Sequence, residues 1–555
     1  MKKKWISLAL ILAMCLSLAA CGQKKEPDPV SAPSAPTEQT PEQTPEQATE
    51  QDAVPAVTKD TLVVRSDRDV GDLNPHTMKS RMFAQDWIYE SLVAMEDGQI
   101  VPDLAESWEI SPDGLTYTFH LREGVQFSDG SAFTASVAKR NIEAVQRHSD
   151  GYSFLQSLAV IDTIDTPDDL TLVLNLTEPC NSLLNDFTFS RPLVMLGEAG
   201  FPEEGDPYDN GITAPIGTGM WVLKEYVADQ YALFERNENY WGEKPSFQYL
   251  KAVVIPDVNT AASALKAGEI DVMVDSSQIT ATMYEEMAAA GFGTAMAPTT
   301  SISNLNINTA GDVTGDLAVR LAMEYATDNV TISEGIFGGL QKPATAYFSP
   351  EVPYTDTGIE PYSYNEEKAN EILEEAGWVY ENGDSVRSKD GKRLELDLIY
   401  DSNVTNDRDI GLILQAQYAK VGIQLNIVPQ DSQVYRKNWA NGDFGVLIYG
   451  SWGGSYEPYA TLAAMASDGD KFNTVQKGMK NKAQLDQVMT DCLHQADPEK
   501  LAENFRYIMQ SFHDEAVYVP LVVTSTLAIY NNNLTGLDLH SAHGGMGVSY
   551  MTVAS

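Results

Sequence analysis

Apolar and polar positions divide the chain into three stretches of different character. Lys2, Lys3 and Lys4 lead into an apolar run from Ile6 to Leu18, shorter than the ~20 residues of a bilayer span, which closes on Leu18-Ala19-Ala20-Cys21-Gly22. That order predicts a secretion signal over residues 1–20. Residues 21–60 lack aromatics, are rich in Pro, Gln, Glu, Thr, Ser and Ala, and repeat Thr-Pro-Glu-Gln at 40–43 and 44–47. Such a segment cannot bury apolar surface and reads as a disordered tether. From Thr61 onward the pattern becomes that of a folded body. Leu115 to Leu121 alternates as a half-buried strand, and turn residues flank the stretch from Gly124 to Phe133. Leu394–Tyr400, a helical pattern from about Ile410 to Lys420, and Ile423–Val428 after Gly422 predict a βαβ unit. Asn365 is a candidate N-cap for a helix over Glu366–Ala376, with Gly377 as its stop and Trp378 packing beyond it. The body is therefore expected to be mixed α/β with more than one sheet.

Small residues directly before Cys21 match a bacterial lipoprotein signal, in which Cys21 is acylated and becomes the first mature residue. The tether would then hold the body up to about 100 Å from a membrane in the polyproline II limit. Loss of Cys15 with the signal leaves Cys180 and Cys492 in the body, enough for one disulfide but not for a disulfide framework.

The chain has 555 residues, 43% hydrophobic, with 79 acidic and 37 basic side chains and a net charge of −42. Its length predicts two large lobes or three to four domains. The acidic excess argues against a nucleic-acid partner, which would require clustered Lys and Arg. It says little about a small ligand. The sequence has no HExxH helix, phosphate loop, GxSxG elbow, CxxC pair or dinucleotide fingerprint. An enzyme is disfavoured.

Ile100-Val101-Pro102-Asp103-Leu104-Ala105-Glu106-Ser107-Trp108, Ser111-Pro112-Asp113-Gly114-Leu115-Thr116-Tyr117-Thr118-Phe119 and Val125-Gln126-Phe127-Ser128-Asp129-Gly130 carry a family resemblance. So do Arg236-Asn237-Glu238-Asn239-Tyr240-Trp241-Gly242, Gly268-Glu269-Ile270-Asp271-Val272 and His513-Asp514-Glu515-Ala516-Val517-Tyr518-Val519-Pro520. Together, in order over the whole body, they resemble the peptide/nickel class (family 5) of solute-binding proteins of ABC importers. Leu73-Asn74-Pro75-His76, Met82-Phe83-Ala84-Gln85 and Ala214-Pro215-Ile216-Gly217-Thr218-Gly219-Met220-Trp221 look most like its nickel-binding branch.

The resemblance implies an α/β, two-lobed periplasmic-binding-protein-like fold (type II, cluster C) with an extra subdomain. Lobe 1 would take residues 61–309 and 523–555, with the subdomain at about 107–213, and lobe 2 residues 310–522. The protein would be extracytoplasmic and lipid-anchored, have no intrinsic cofactor, and deliver its ligand to permease and ATPase subunits by closing its lobes. The branch resembles binders of nickel or another divalent metal already wrapped by a carboxylate-bearing chelator. Arg191, in Phe189-Ser190-Arg191-Pro192, falls where the family places a carboxylate-clamping arginine, suited to the task by its planar fork. Arg147 is a candidate for a second binding arginine, although the pattern diverges around it.

Trp452, Tyr456 and Tyr435 fall on family wall positions of the second lobe and Met82 on the first. The family's loop histidine is missing, because the loop here reads Ala466-Ser467-Asp468-Gly469-Asp470-Lys471. Nickel favours imidazole nitrogen, so His543, His540 and His76 become the candidate metal ligands. His120, His148, His494 and His513 read as surface or structural residues. Two other functions remain open from the sequence: an oligopeptide or dipeptide binder, and a surface sensing lipoprotein.

Overall fold

The computed structural model describes residues 60–96, 98–539 and 546–554. Residues 1–59, with the segments read as signal and tether and with Cys21, and His540 and His543 lie outside the described residues.

Local signals act where the sequence carries them. Strands Glu395–Asp401 and Gln424–Gln430 pair in parallel, from Glu395↔Gln424 to Asp401↔Gln430, and helix Asp407–Ala419 crosses between them. The helix starts three residues before the apolar pattern, because Asn406, Asp407 and Asp409 favour a helix N-terminus. Asn365 caps helix Glu366–Glu375 by accepting from the Lys368 amide at 2.9 Å. Gly377 follows at φ +89°, and Trp378 turns inward with its Nε1 donating to Asp316.

These units hang on one 11-stranded sheet. Its path runs through Gln424–Gln430, Glu395–Asp401, Val446–Gly450, Gly293–Ile307, Tyr518–Tyr530, Val272–Asp275, Thr61–Ser66, Tyr249–Val254, Tyr231–Arg236 and Trp221–Val227, and Lys342–Pro343 pairs with Tyr518–Tyr530 off that path. Gly293–Ile307 and Tyr518–Tyr530 are antiparallel partners long enough to belong to both lobes. Near Gly293 and Tyr530 they lie beside Val272–Asp275; near Ile307 and Tyr518 the next strand is Val446–Gly450. Their register slips between Pro298 and Ile302, so the ladder is broken between the part of the pair beside Val272–Asp275 and the part beside Val446–Gly450. Thr299 and Thr524 hydroxyls meet at 2.6 Å inside that break.

Each side of the break has its own cores. On the lobe 1 side, Leu62, Val64, Trp87, Trp221 and Phe234 form one cluster, and Ala261, Leu265, Ile270 and Ile529 another. On the other side of the break, Leu305, Leu398, Leu414, Tyr418 and Ile448 fill one face, while Trp439, Phe472, Met489 and Phe505 fill a second cluster. A separate four-stranded antiparallel sheet, in the order Ala105–Ile110, Thr116–Leu121, Thr171–Leu176 and Ile161–Asp168, packs under helix Ala135–Gln146. It provides the subdomain's own core around Phe119, Phe127 and Phe187. The disulfide that two body cysteines permit is not formed: Cys180 and Cys492 are both free and buried.

Candidate functional site

The subdomain and lobe 2 meet across an aromatic layer. The Tyr456 ring stacks on Phe189 at 4.2 Å, and Phe154 meets Trp452 edge-on at 5.8 Å. Trp452 also packs against Tyr456 and against Phe472 of the lobe 2 core. Backbone bonds extend this seam: the Asn181 amide donates to Leu493 O at 2.8 Å, and Asn185 Nδ2 donates to Ser455 O at 3.2 Å.

The loop carrying Trp452 and Tyr456 is fastened to the lobe crossing itself. Ser451 Oγ accepts from the Ile302 amide at 3.0 Å, Ser301 Oγ donates to Ser451 O at 2.6 Å, and the Gly454 amide donates to Thr300 Oγ1 at 2.7 Å. Gly453 sits at φ +71°, and a Cβ there would stand 2.9 Å from Ser301, so only glycine fits. Glu457 is buried just behind the loop, against the Trp452 and Gly453 backbone, and burial pushes its carboxyl up to about 7.

Beneath the aromatic layer lies Arg191. Its Nη1 donates to Ser80 O, while its Nε is buried and meets no partner. Burial lowers the guanidinium's pKa, opposed by the neighbouring Tyr456 and Asp86. Met82 lies alongside, with its sulfur accepting from the Tyr456 hydroxyl at 3.9 Å. The short helix Met82–Ile88 also presents Asp86, which accepts from Ser190; burial pushes its carboxyl up to about 7 against the pull of Arg191. Arg81, just before this helix, pairs with Asp67 at 2.7 Å, and Arg68 acts electrostatically on both Arg81 and Arg191. Three arginines thus converge in a chain of net charge −42.

Four of the residues singled out from the sequence come together here: Arg191, Met82, Trp452 and Tyr456. Three others do not join them. Tyr435 is a core residue, 3% exposed, whose hydroxyl donates to Ile448 O at 2.6 Å. Arg147 is exposed and pairs through Nε with Asp206 at 3.3 Å. His76 is 1% exposed, its Nε2 2.9 Å from Asn141 Oδ1 and its ring edge-on to Phe201. Burial lowers its pKa to about 4, so it is a neutral core histidine. His148, read from sequence as a surface residue, is half-buried, stacks on Tyr208 at 4.2 Å and contacts Asp206 at 2.9 Å. With Asp209 it makes the group of three metal-capable side chains found among the described residues. Sequence reasoning missed Phe154, Phe189, Asp86, Arg68 and Arg81. Asp86 follows directly on the Met82-Phe83-Ala84-Gln85 stretch and lies four residues from Met82, on the same helix face, which was the available signal.

A lobed body with a basic, aromatic-lined seam at its crossing is the architecture of a ligand-capturing binding protein, and the chain belongs to the family described as bacterial extracellular solute-binding proteins, family 5, whose middle region matches residues 99–473. It is 32% identical over 483 residues to the nickel-binding periplasmic protein of Escherichia coli K12, covering 86% of this chain and 91% of that one. The crystal structure of NikA from Brucella suis in complex with Fe(III)-EDTA superposes with a TM-score of 0.86 at 31% identity, over 89% of this chain and 99% of that one. The dipeptide-binding protein of E. coli K12 is also similar, 27% identical over 410 residues, covering 68% of this chain and 74% of that one. These relatives are solute-binding proteins rather than enzymes.

Proposed function

We propose that the protein is an extracytoplasmic lipoprotein, anchored through Cys21, that captures a transition-metal chelate, nickel foremost, and delivers it to the permease and ATPase of an ABC importer. The observation that carries this reading is Arg191: a half-buried guanidinium with a buried, unpartnered Nε, near the Tyr456 ring and beside two further arginines. Part of its desolvation cost is already met in the folded protein, so a carboxylate that reaches it gains charge-assisted bonds at a reduced penalty on the protein side. Phe154, Phe189, Trp452 and Tyr456 would cover the chelate and exclude water. The lobes would close about the break at Pro298–Ile302, ligand contacts on both faces favouring the closed state. The similarity to nickel-binding and Fe(III)-EDTA-bound relatives supports a chelate over a bare ion.

A second reading rests on Asp86. A carboxylate beside the clamping arginine suits a ligand carrying both an ammonium and a carboxylate group, as a short peptide does, and a dipeptide-binding relative is similar to this chain. Calorimetric titration separates the two. The full-length protein in detergent is titrated with nickel, with nickel plus excess histidine, and with a mixed short-peptide pool. Tight binding confined to nickel plus histidine supports chelate capture; binding confined to peptides overturns it.

A further inference from the structure

A cavity of about 460 Å³ opens within lobe 2, away from the aromatic seam, and falls in the range of small-ligand sites. It lies between the end of helix Leu317–Ala326, the segment 343–364, helix Pro498–Asp514 and the start of strand Tyr518–Tyr530. Glu324 faces it from the first of these. The side chain is 6% exposed, receives no hydrogen bond or ion pair from the described residues, and burial alone drives its carboxyl well above the ordinary carboxylate range. The cationic neighbour on its own helix, Arg320, is committed to Glu515 at 2.8 Å. The other titratable groups facing Glu324 are the Tyr362 hydroxyl, which donates to His513 O, and the Tyr418 hydroxyl on helix Asp407–Ala419, bonded to Thr327.

Tyr347 lines the cavity with its ring, while its hydroxyl is buried without a partner on the side of Tyr518, Glu457 and Tyr449. Aromatic rings of Tyr347, Phe348, Tyr362, Phe512 and Tyr518 supply much of the remaining wall. The lining includes the carboxylates of Glu324, Asp328 and Asp356 but no lysine or arginine. Asp328 is occupied as the cap of helix Asn329–Phe337, and Asp356 is exposed.

We propose that this cavity is a second ligand site, independent of the interlobe seam, that takes a small organic cation with a primary ammonium group. Glu324 pairs with the ammonium, and the aromatic faces attract the charge and cover the carbon skeleton. A metal ion is a poor fit, because Glu324 offers one carboxylate and His513 is stacked on Tyr362 at 4.2 Å with Nδ1 against Asp514. An anion would face carboxylates with no cation to receive it. Binding is coupled to proton release: the neutral carboxyl loses its proton to solvent as it pairs with the ammonium.

The probe is benzylammonium, titrated into the full-length protein in detergent by calorimetry in two buffers of different ionisation enthalpy, with benzyl alcohol as the neutral analogue. The expected result is one-to-one binding, about one proton released per ligand, and at least tenfold weaker binding of the alcohol. Glu324→Gln should weaken benzylammonium at least tenfold and abolish the buffer dependence. Saturating nickel and histidine should leave the titration unchanged. The proposal is overturned by no binding up to about 10 mM amine, by equal binding of the alcohol, by an unaltered Glu324→Gln titration, or by displacement with nickel and histidine. Buffer dependence in the wild-type protein tests the carboxyl's role even if a variant folds poorly.

Discussion

Replacing Arg191 by Met removes the guanidinium while keeping an unbranched side chain to fill the space beneath Tyr456. A carboxylate held bidentately forms two charge-assisted hydrogen bonds, each contributing about 1.5–3 kcal/mol. Arg191 is half-buried with its Nε unpartnered, so only part of this gain is offset on the protein side. The loss is therefore about 3–6 kcal/mol, or roughly 10²–10⁴-fold in affinity. Arg191→Lys keeps the charge but loses the planar fork, and an intermediate loss of about 10–100-fold is expected. The bond to Ser80 O is present in free and bound protein alike and largely cancels in the binding difference. The assay is calorimetric titration with nickel and excess histidine, alongside thermal melting to confirm that each variant is folded. If Arg191→Met binds within about threefold of the wild type at unchanged melting temperature, the carboxylate-clamp reasoning is wrong.

Three further outcomes follow from the same geometry. Asp86→Asn should leave nickel–histidine affinity within severalfold, but should weaken any peptide by at least tenfold; a peptide that binds both proteins equally removes Asp86 from ammonium recognition. His76→Ala should lower stability by about 2–4 kcal/mol through loss of a buried ring and its bond to Asn141, with chelate affinity unchanged; a matching loss of affinity in folded protein would return His76 to the site. Glu457→Gln should raise stability relative to wild type more at pH 8 than at pH 5. The folded carboxyl, at about 7, stays protonated where the unfolded one, near 4.5, ionises, so its cost is small below pH 4.5, grows between the two values and is full above about pH 7. A shift of that size predicts a change of about 2.5 kcal/mol between the two pH values. Denaturant midpoints that track each other across pH would refute it.

Legibility in the sequence followed how local each determinant is. The cap at Asn365, the stop at Gly377 and the βαβ unit are written within a few residues of where they act, and each formed as read. Arg191, Met82, Trp452 and Tyr456 were found through family resemblance, because nothing in their immediate neighbourhoods says that they meet. Tyr435 shows the limit of that route. Its position matched a wall residue, but its hydroxyl satisfies Ile448 O within the lobe 2 core. His76 is a different case: it was a candidate because nickel favours imidazole nitrogen, whereas the Asn141 side chain, 65 residues away, holds this imidazole in the interior. Phe154 and Phe189 were overlooked because an aromatic in a subdomain loop has the same local pattern whether it packs inward or across a lobe boundary. The arginine group was invisible for a similar reason. Arg68 and Arg81 approach Arg191 only after the fold brings residues more than 100 apart together.

Under the proposed chelate-capture reading, that group decides what kind of nickel species the seam can accept. The charge of −42 is spread over a large surface, and at physiological ionic strength its influence decays over about 8 Å. Within the seam, nearby charges at an effective dielectric near 20 interact by about 4 kcal/mol at 4 Å, so the local arginines dominate. Asp67 offsets Arg81, and Asp86, pushed up to about 7, is only partly ionised near neutrality. The seam is therefore net positive, and none of the seam residues described here offers an imidazole. A bare nickel ion meets repulsion there and should go instead to exposed carboxylates and to imidazole groups such as His148 with Asp206 and Asp209. A chelate brings its own donors and presents carboxylates to the arginines. Nickel alone should thus bind weakly, with heats that Arg191→Met leaves unaltered and His148→Ala reduces, whereas nickel with histidine should show the reverse dependence. Bare nickel binding that requires Arg191 would contradict this electrostatic reasoning at its root, because a cation cannot gain from a guanidinium.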